Sequence, residues 1–311
     1  MKIIFMGTPE FAAPGLQAIW ESSHTVLAVV TAPDKPVGRG LKIKPSPIKQ
    51  LALDYEIPVL QPEKLSDPEF INQLIDFQAD LFVVVAFRIL PKSVFSIPAQ
   101  GTINLHASLL PSYRGAAPIN WALINGEPET GVSIFFIEKQ VDTGNIILQE
   151  KVPILPDETA GSLHDKMMAI GAEVLVEAID MIEEHEVEPI IQTGAVTSAP
   201  KINKEMCRIS WDDSAIKIHN LVRGLSPHPG AVTSLKNKIL KIFATQPLEL
   251  TPPEGALPGT IIDLNTKSGL IAVVTGDGVL SLRELQFEGK KCMCSSEFLK
   301  GCRFETGEML L

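Results

Sequence analysis

Leu81-Phe82-Val83-Val84-Val85 is the stretch that most narrows what this chain can build. A continuous run of apolar, mostly β-branched residues reads as a strand covered on both faces, and such strands belong to parallel sheets. Lys2 to Met6 and Val26 to Thr31 are two earlier strand candidates, and helical stretches run from Pro47 to about Tyr55 and from Pro68 to Phe77. Ser46 is placed to cap the first of these helices, and Thr8, followed by Pro9 and Glu10, to cap one straight after the first strand. Strands alternating with helices predict an α/β fold with a doubly wound, mostly parallel sheet. Gly7-Thr8-Pro9 lacks the glycine spacing of a dinucleotide fingerprint and the Lys-Ser/Thr of a phosphate loop, which demotes a nicotinamide enzyme.

The next strand, Thr102 to His106, carries polar groups. Ile103 and Leu105 alternate with Asn104 and His106, so the amide and the imidazole share one face. Ser108 to Pro111 then leaves the sheet. A polar pair at a strand end, followed by a glycine-containing loop, is where open α/β sheets place their chemistry. Pro118 to Asn125 reads as a short helix, and Val132 to Ile137 and Asn145 to Val152 as strands bracketing a turn that contains Asp142. Thr159 to about Glu184 is a long helix whose stripe of Leu163, Met167, Ile170, Val174, Ala178 and Met181 reads as core.

At 311 residues the chain exceeds what one core usually serves, so two domains are expected. We place a catalytic domain at 1–191, a Gly-, Pro-, Ser- and Thr-containing linker at 192–206 and a second domain at 207–311. The tail holds one short helix, Ile216 to Val222, and then strand candidates Ala231–Leu235, Ile239–Thr245, Gly259–Asp263, Gly269–Thr275 and Val279–Leu285. Five short strands at this spacing predict a small OB-like β-barrel. The net charge of −10 is unevenly spread: residues 201–311 hold 14 Lys and Arg against 12 Asp and Glu, leaving −12 on the first 200 residues. Binding follows local potential, so the tail is compatible with a nucleic-acid partner despite the acidic total.

Ala32 to Pro47 is a long polar loop made net basic by Lys35, Arg39, Lys42 and Lys44. Ordering such a loop is costly, so it reads either as a solvated charge run or as a functional element. No apolar run approaches the roughly 18 residues of a membrane span, and a strand at the very start leaves no room for a signal peptide; a cytoplasmic protein, taken as a monomer, is expected. Cys207, Cys292, Cys294 and Cys302 suit free thiols, and the last three lack a fourth nearby zinc ligand, so no metal is expected.

His106-Ala107-Ser108-Leu109-Leu110-Pro111-Ser112-Tyr113-Arg114-Gly115, with Val141-Asp142-Thr143-Gly144 downstream, resembles the 10-formyltetrahydrofolate-dependent formyltransferases. The similarity is to the members that act on methionyl-tRNA. It extends to Phe5-Met6-Gly7-Thr8-Pro9-Glu10-Phe11, to Pro33 through Gly40, to Gly115 through Ala122 and to Arg223 through Ala231, nearly the whole chain. The resemblance implies 10-formyltetrahydrofolate as co-substrate and the α-amine of methionyl initiator tRNA as acceptor. It implies Asn104, His106 and Asp142 as catalytic residues, with Asp142 paired to His106. It places the folate along Phe87, Arg88, Ile89 and Leu90, Ser108, Leu109, Leu110 and Pro111, and Val141. Arg88 departs from the glycine usual in the family. The basic loop, with Arg39, Lys42 and Lys44, is implied to lie on the tRNA acceptor stem, and Arg223, Lys236, Lys238 and Lys241 are candidates for further tRNA contact. Relatives formylating glycinamide ribonucleotide or an amino-sugar nucleotide, and a formyltetrahydrofolate hydrolase, share the Asn-His-Asp set, but the basic loop and second domain are surplus to those reactions.

Overall fold

The computed structural model describes residues 1–37, 42–301 and 304–311. The chain divides into two compact units. One is Met1–Pro118 with Thr130–Pro153 and His164–Ala199; the other is Ile119–Glu129 with Ile154–Leu163 and Pro200–Leu311. Two segments inside the expected catalytic domain thus cluster with the tail, while 192–199 clusters with the first unit. The expected linker is divided because Ser198–Ala199 pairs in parallel with Arg114–Gly115.

The sheet of the first unit has seven strands: β1 (Lys2–Gly7), β2 (Thr25–Val30), β3 (Val59–Leu60), β4 (Leu81–Val85), β5 (Thr102–His106), β6 (Glu129–Phe136) and β7 (Ile146–Pro153). Their order is β7-β6-β5-β4-β1-β2-β3. β3, β2, β1, β4 and β5 are mutually parallel, and β6 runs antiparallel to β5. Winding reverses between β1 and β4, which opens a crevice at the carboxyl ends of these strands.

The apolar pattern explains the layers. Every residue from Leu81 to Val85 is buried, as a strand covered on both faces requires. Ile4, Met6, Phe82 and Val84 face one side, where Phe70 and Leu74 of α3 (Pro68–Asp76) and Val94 of α4 (Lys92–Phe95) join them. On the other side Gly15 of α1 (Ala13–Glu21) brings Phe5, Val85 and Leu175 of α6 (Ala160–Glu183) together. Ser46 caps α2 (Pro47–Asp54) as expected, its Oγ accepting from Lys49 N at 3.0 Å. Thr8 does not cap α1: its hydroxyl is drawn across to the end of β2 and accepts from Ala32 N at 3.3 Å. A 3-10 turn, Glu10–Ala12, intervenes before α1. The remaining helix of the first half is α5 (Pro118–Ile124).

The second unit is an antiparallel sheet of β8 (Ala231–Leu235), β9 (Lys238–Leu248), β10 (Ile261–Asn265), β11 (Leu270–Val274), β12 (Val279–Phe287) and β13 (Met293–Cys294), with α7 (Ala215–Gly224) and α8 (Ser295–Gly301). The order is β8-β9-β12-β11-β10, with β13 paired to β12. The chain after residue 306 joins the two edges. Leu311 exchanges backbone hydrogen bonds with Ser234 of β8, while Ile261 N at the start of β10 donates to Glu308 O and Leu310 N to Gly259 O. Closure through this segment removes the open edges of the sheet. Ile218, Val222, Leu240, Ile242, Leu280 and Phe298 are among the core residues.

His219 of α7 lies in this unit with its Nδ1 3.0 Å from Thr245 Oγ1. Burial pushes its imidazole below the usual value of 6.5. The folded ring stays neutral where the unfolded one takes up a proton, so stability is full above the unfolded value and is lost as pH falls through and below it. The denaturant midpoint should drop between pH 7.5 and 5.5, and His219→Asn should remove that part of the slope.

Candidate active site at the carboxyl edge

β5 places Asn104 between Val84 of β4 and Phe135 of β6, and His106 opposite Ser133. Asn104 is half-buried, and among the described residues its side-chain amide has no hydrogen-bond partner. His106 is 7% exposed, with Nε2 2.9 Å from Tyr113 O. A carbonyl only accepts, so Nε2 carries a proton and Nδ1 becomes a donor only when the ring is charged.

Asp142 occupies the turn between β6 and β7, in a left-handed conformation with φ 55°. Its Oδ2 accepts from Gly115 N at 2.9 Å. The expected pairing of Asp142 with His106 is not formed: among the described residues neither a hydrogen bond nor an ion pair joins them. The two side chains are held by one segment instead, His106 at the Tyr113 carbonyl and Asp142 at the Gly115 amide. Tyr113 (φ 59°) and Ala86 (φ 48°), at the end of β4, share the left-handed conformation. Such backbone costs on the order of 1–2 kcal/mol per non-glycine residue and gathers at functional sites.

The loop after β5 is fixed from behind. Ser133 Oγ donates to Ser108 O at 2.6 Å and accepts from Leu110 N at 3.1 Å and Gln149 Nε2 at 2.7 Å. The hydroxyl thereby uses its donor and both lone pairs. Gln149 also donates to Leu110 O at 3.1 Å. Neither residue carries a local sequence signal, since each acts on a loop remote in the chain.

Of the residues expected to meet folate, Ile89 is 77% and Val141 51% exposed. Phe87, Leu109 and Pro111 are half-buried, and Leu90, Ser108 and Leu110 are buried and shape the wall from within. An open hollow of about 520 Å³ is lined by Lys64, Leu65, Ser66, Arg88, Ile89, Leu90 and Pro91, and Asn104, His106 and Asp142 are not part of that lining. Arg88 needs no glycine-only backbone, since it is not in the left-handed region. Its guanidinium donates to Pro62 O at 2.9 Å and Glu63 O at 3.1 Å and lies 5.1 Å from the Phe87 ring centroid.

The basic positions separate. Arg39 lies outside the described residues, as does Cys302. Lys42 and Lys44 belong to the strand Lys42–Lys44, antiparallel to Lys35–Val37, and exposed Lys44 stands directly opposite exposed Lys35. Arg223, a candidate tRNA contact, is mostly buried. It is 8% exposed, donates to Asn220 Oδ1 at 2.8 Å and has Asp157 and Glu158 as charged neighbours. Lys236 pairs with Glu308, and Lys241 donates to Pro229 O at 2.7 Å. Lys238 is exposed. Cys207 is buried, and Cys292 and Cys294 are exposed and free. His24, Asp180 and Glu183 form the metal-spaced cluster among the described residues, and none of them belongs to the site above. Among the same residues, no helix is long and apolar enough to cross a membrane.

Two family models match the chain, "formyl transferase" over residues 1–179 and "formyl transferase, C-terminal domain" over residues 201–303. The methionyl-tRNA formyltransferase of Clostridioides difficile is 48% identical over 312 residues, covering 100% of both chains. The chain belongs to the methionyl-tRNA formyltransferase family. The Bacteroides fragilis protein of that name is 44% identical over 311 residues, covering 97% of this chain and 95% of its own. Among solved structures, an N-formyltransferase from Helicobacter canadensis in complex with folinic acid and dTDP-3-aminofucose shares the fold. It has a TM-score of 0.65 at 21% identity, covering 91% of this chain and 98% of that one.

Proposed function

We propose that this chain transfers the formyl group of 10-formyltetrahydrofolate to the α-amine of methionyl initiator tRNA in the cytoplasm. The observation that carries the reading is the full-length match to methionyl-tRNA formyltransferases, with both family models present in one chain. The amine attacks the formyl carbon, a C–N bond forms, and the carbonyl oxygen becomes negative in a tetrahedral intermediate. Asn104 Nδ2–H and charged His106 donate to that oxygen, the role of an oxyanion hole. The Asp142 carboxylate accepts the proton released by the amine, directly or through one water. The bond to folate N10 then breaks, and N10 takes up a proton. The formyl donor lies along Phe87 to Pro91, Ser108 to Pro111 and Val141, and the acceptor stem along the basic loop.

The test is formyl transfer from 10-formyltetrahydrofolate to methionyl initiator tRNA, with free methionine and uncharged tRNA as controls. Transfer to the charged tRNA alone is expected. Release of formate without transfer would make the chain a hydrolase and overturn the reading.

The Lys35–Lys44 pair supports the tRNA face. Like charges directly opposite on two strands are destabilising by a few tenths of a kcal/mol, and a polyanion relieves the repulsion. Lys44→Glu converts the repelling pair into an attracting one. It should leave the melting temperature unchanged or slightly raised while lowering kcat/KM for charged tRNA several-fold, more so at low salt. A wild-type-to-variant ratio of kcat/KM that is the same at about 20 and about 200 mM salt, roughly threefold apart in Debye length, would remove this contact.

A further inference from the structure

Gln192 satisfies its whole side-chain amide at the candidate site. Its Nε2 donates to Asp142 O at 3.0 Å and to Gly144 O at 2.8 Å. Its Oε1 accepts from Arg114 NH2 at 2.6 Å and from Arg114 Nε at 3.3 Å. Both donors and both lone pairs are thus used, and every partner lies in one of two elements. One is the turn that carries Asp142; the other is the Arg114–Gly115 strand, whose Gly115 N holds the Asp142 carboxylate. The turn is gripped at three points: the carboxylate at Gly115, and the carbonyls of residues 142 and 144 at Gln192.

That grip matters because the Asp142 backbone is left-handed, with φ 55°. An aspartate held in this conformation returns to a commoner one unless its surroundings over-determine it. The half-buried amide supplies that constraint from a residue 50 positions away in sequence.

We infer that Gln192 is the positioning residue for Asp142 in formyl transfer, tying its turn to the Arg114–Gly115 strand so that the carboxylate meets the attacking amine. The inference rests on the reading of Asp142 as proton acceptor. It predicts a larger effect on kcat than on substrate affinity, because Gln192 reaches the reacting atoms only through the turn, where Val141 is the residue placed on the folate.

The experiment is a double-mutant cycle in the full chain, with kcat, both KM values and the melting temperature measured. Gln192→Met keeps the length and removes all four hydrogen bonds. Gln192→Glu keeps the acceptor for Arg114 but cannot donate to the turn. Each is expected to lower kcat about 10- to 100-fold, the loss that a displacement of about 1 Å produces. The KM for charged tRNA should stay within about twofold, and any rise in the folate KM, through Val141, should be smaller than the loss in kcat. In an Asp142→Asn background, neither change should lower kcat further, because residues acting as a unit are non-additive.

Wild-type kcat in either variant would overturn the inference, as would the same fractional loss in the Asp142→Asn background, which marks a merely structural role. If Gln192→Met does not accumulate as folded protein, Gln192→Glu, equal in size and hydrophilic but anionic, decides alone. Wild-type kcat in Asp142→Asn itself would instead refute the proton-acceptor reading, a result distinct from the other two.

Discussion

Asn104→Ala should lower kcat by about a hundred- to a thousandfold, the loss typical of removing one oxyanion donor. Its affinity for charged tRNA should stay within about twofold, since no positively charged group is removed. The variant is informative because of what Asn104 does not do. Its amide has no hydrogen-bond partner among the described residues, so truncation strands no buried donor or acceptor. The backbone pairing of β5 with β4 and β6 is untouched. Stability should therefore fall by no more than about 1 kcal/mol, the ordinary size of a point change. His106→Ala is expected to be as inactive but less clean. It also removes the 2.9 Å hydrogen bond to the Tyr113 carbonyl, and losing one such bond costs about 0.5–1.5 kcal/mol. Single-turnover kinetics, tRNA binding and urea unfolding on both variants separate these effects. Wild-type kcat for Asn104→Ala, or loss of tRNA affinity in step with rate, would remove Asn104 from the oxyanion site.

The framework of the first unit was readable because it follows from local period. Leu81 to Val85 is apolar at every position and is buried at every position; Thr102 to His106 alternates and sits at the carboxyl edge. The Ser46 cap is equally local, a side chain meeting an amide three residues on. What was not readable depends on partners far away in sequence. Thr8 looked like a cap until the end of β2 supplied a competing donor in Ala32. Asp142 looked like a partner for His106, but the Gly115 amide reaches the carboxylate first. Arg223 carries a charge that suggests a surface, yet it is mostly buried, donates to Asn220 and has Asp157 and Glu158 as charged neighbours. Gln192 sat in a segment without periodicity, and no local rule assigns it to a turn 50 residues earlier. Closure of the second sheet likewise depends on residues after 306 that lie outside its strands.

Gly144→Ala should be the most damaging one-carbon change at the site. A Cβ there would stand 1.7 Å from Phe136 O and 2.9 Å from Phe136 C, inside the backbone of β6. Gly144 is not in the left-handed region, so the requirement is for space and not for conformational freedom. The contact has no flexible side chain that can yield, and two movements remain. Phe136 can shift, which breaks its N–H donation to Asn145 O at 3.0 Å and loosens the end of β6. Alternatively the turn can lift, which lengthens the 2.8 Å bond from Gln192 to Gly144 O and carries Asp142 with it. Overpacking of this kind costs about 1–3 kcal/mol, and more where backbone must move. A displacement of about 1 Å at a proton acceptor also costs up to about a hundredfold in rate. Gly144→Ala is therefore expected to lose about 3 kcal/mol in urea unfolding, at the upper end of that range. It should also lose at least about tenfold in kcat. Thr143→Ser keeps the hydroxyl that donates to Gln140 O at 3.0 Å and should stay within about 0.5 kcal/mol of wild type. If Gly144→Ala matched wild type in both measurements, the turn would be slack enough to absorb a methyl group, and the carboxylate of Asp142 would owe its position to the Gly115 amide alone.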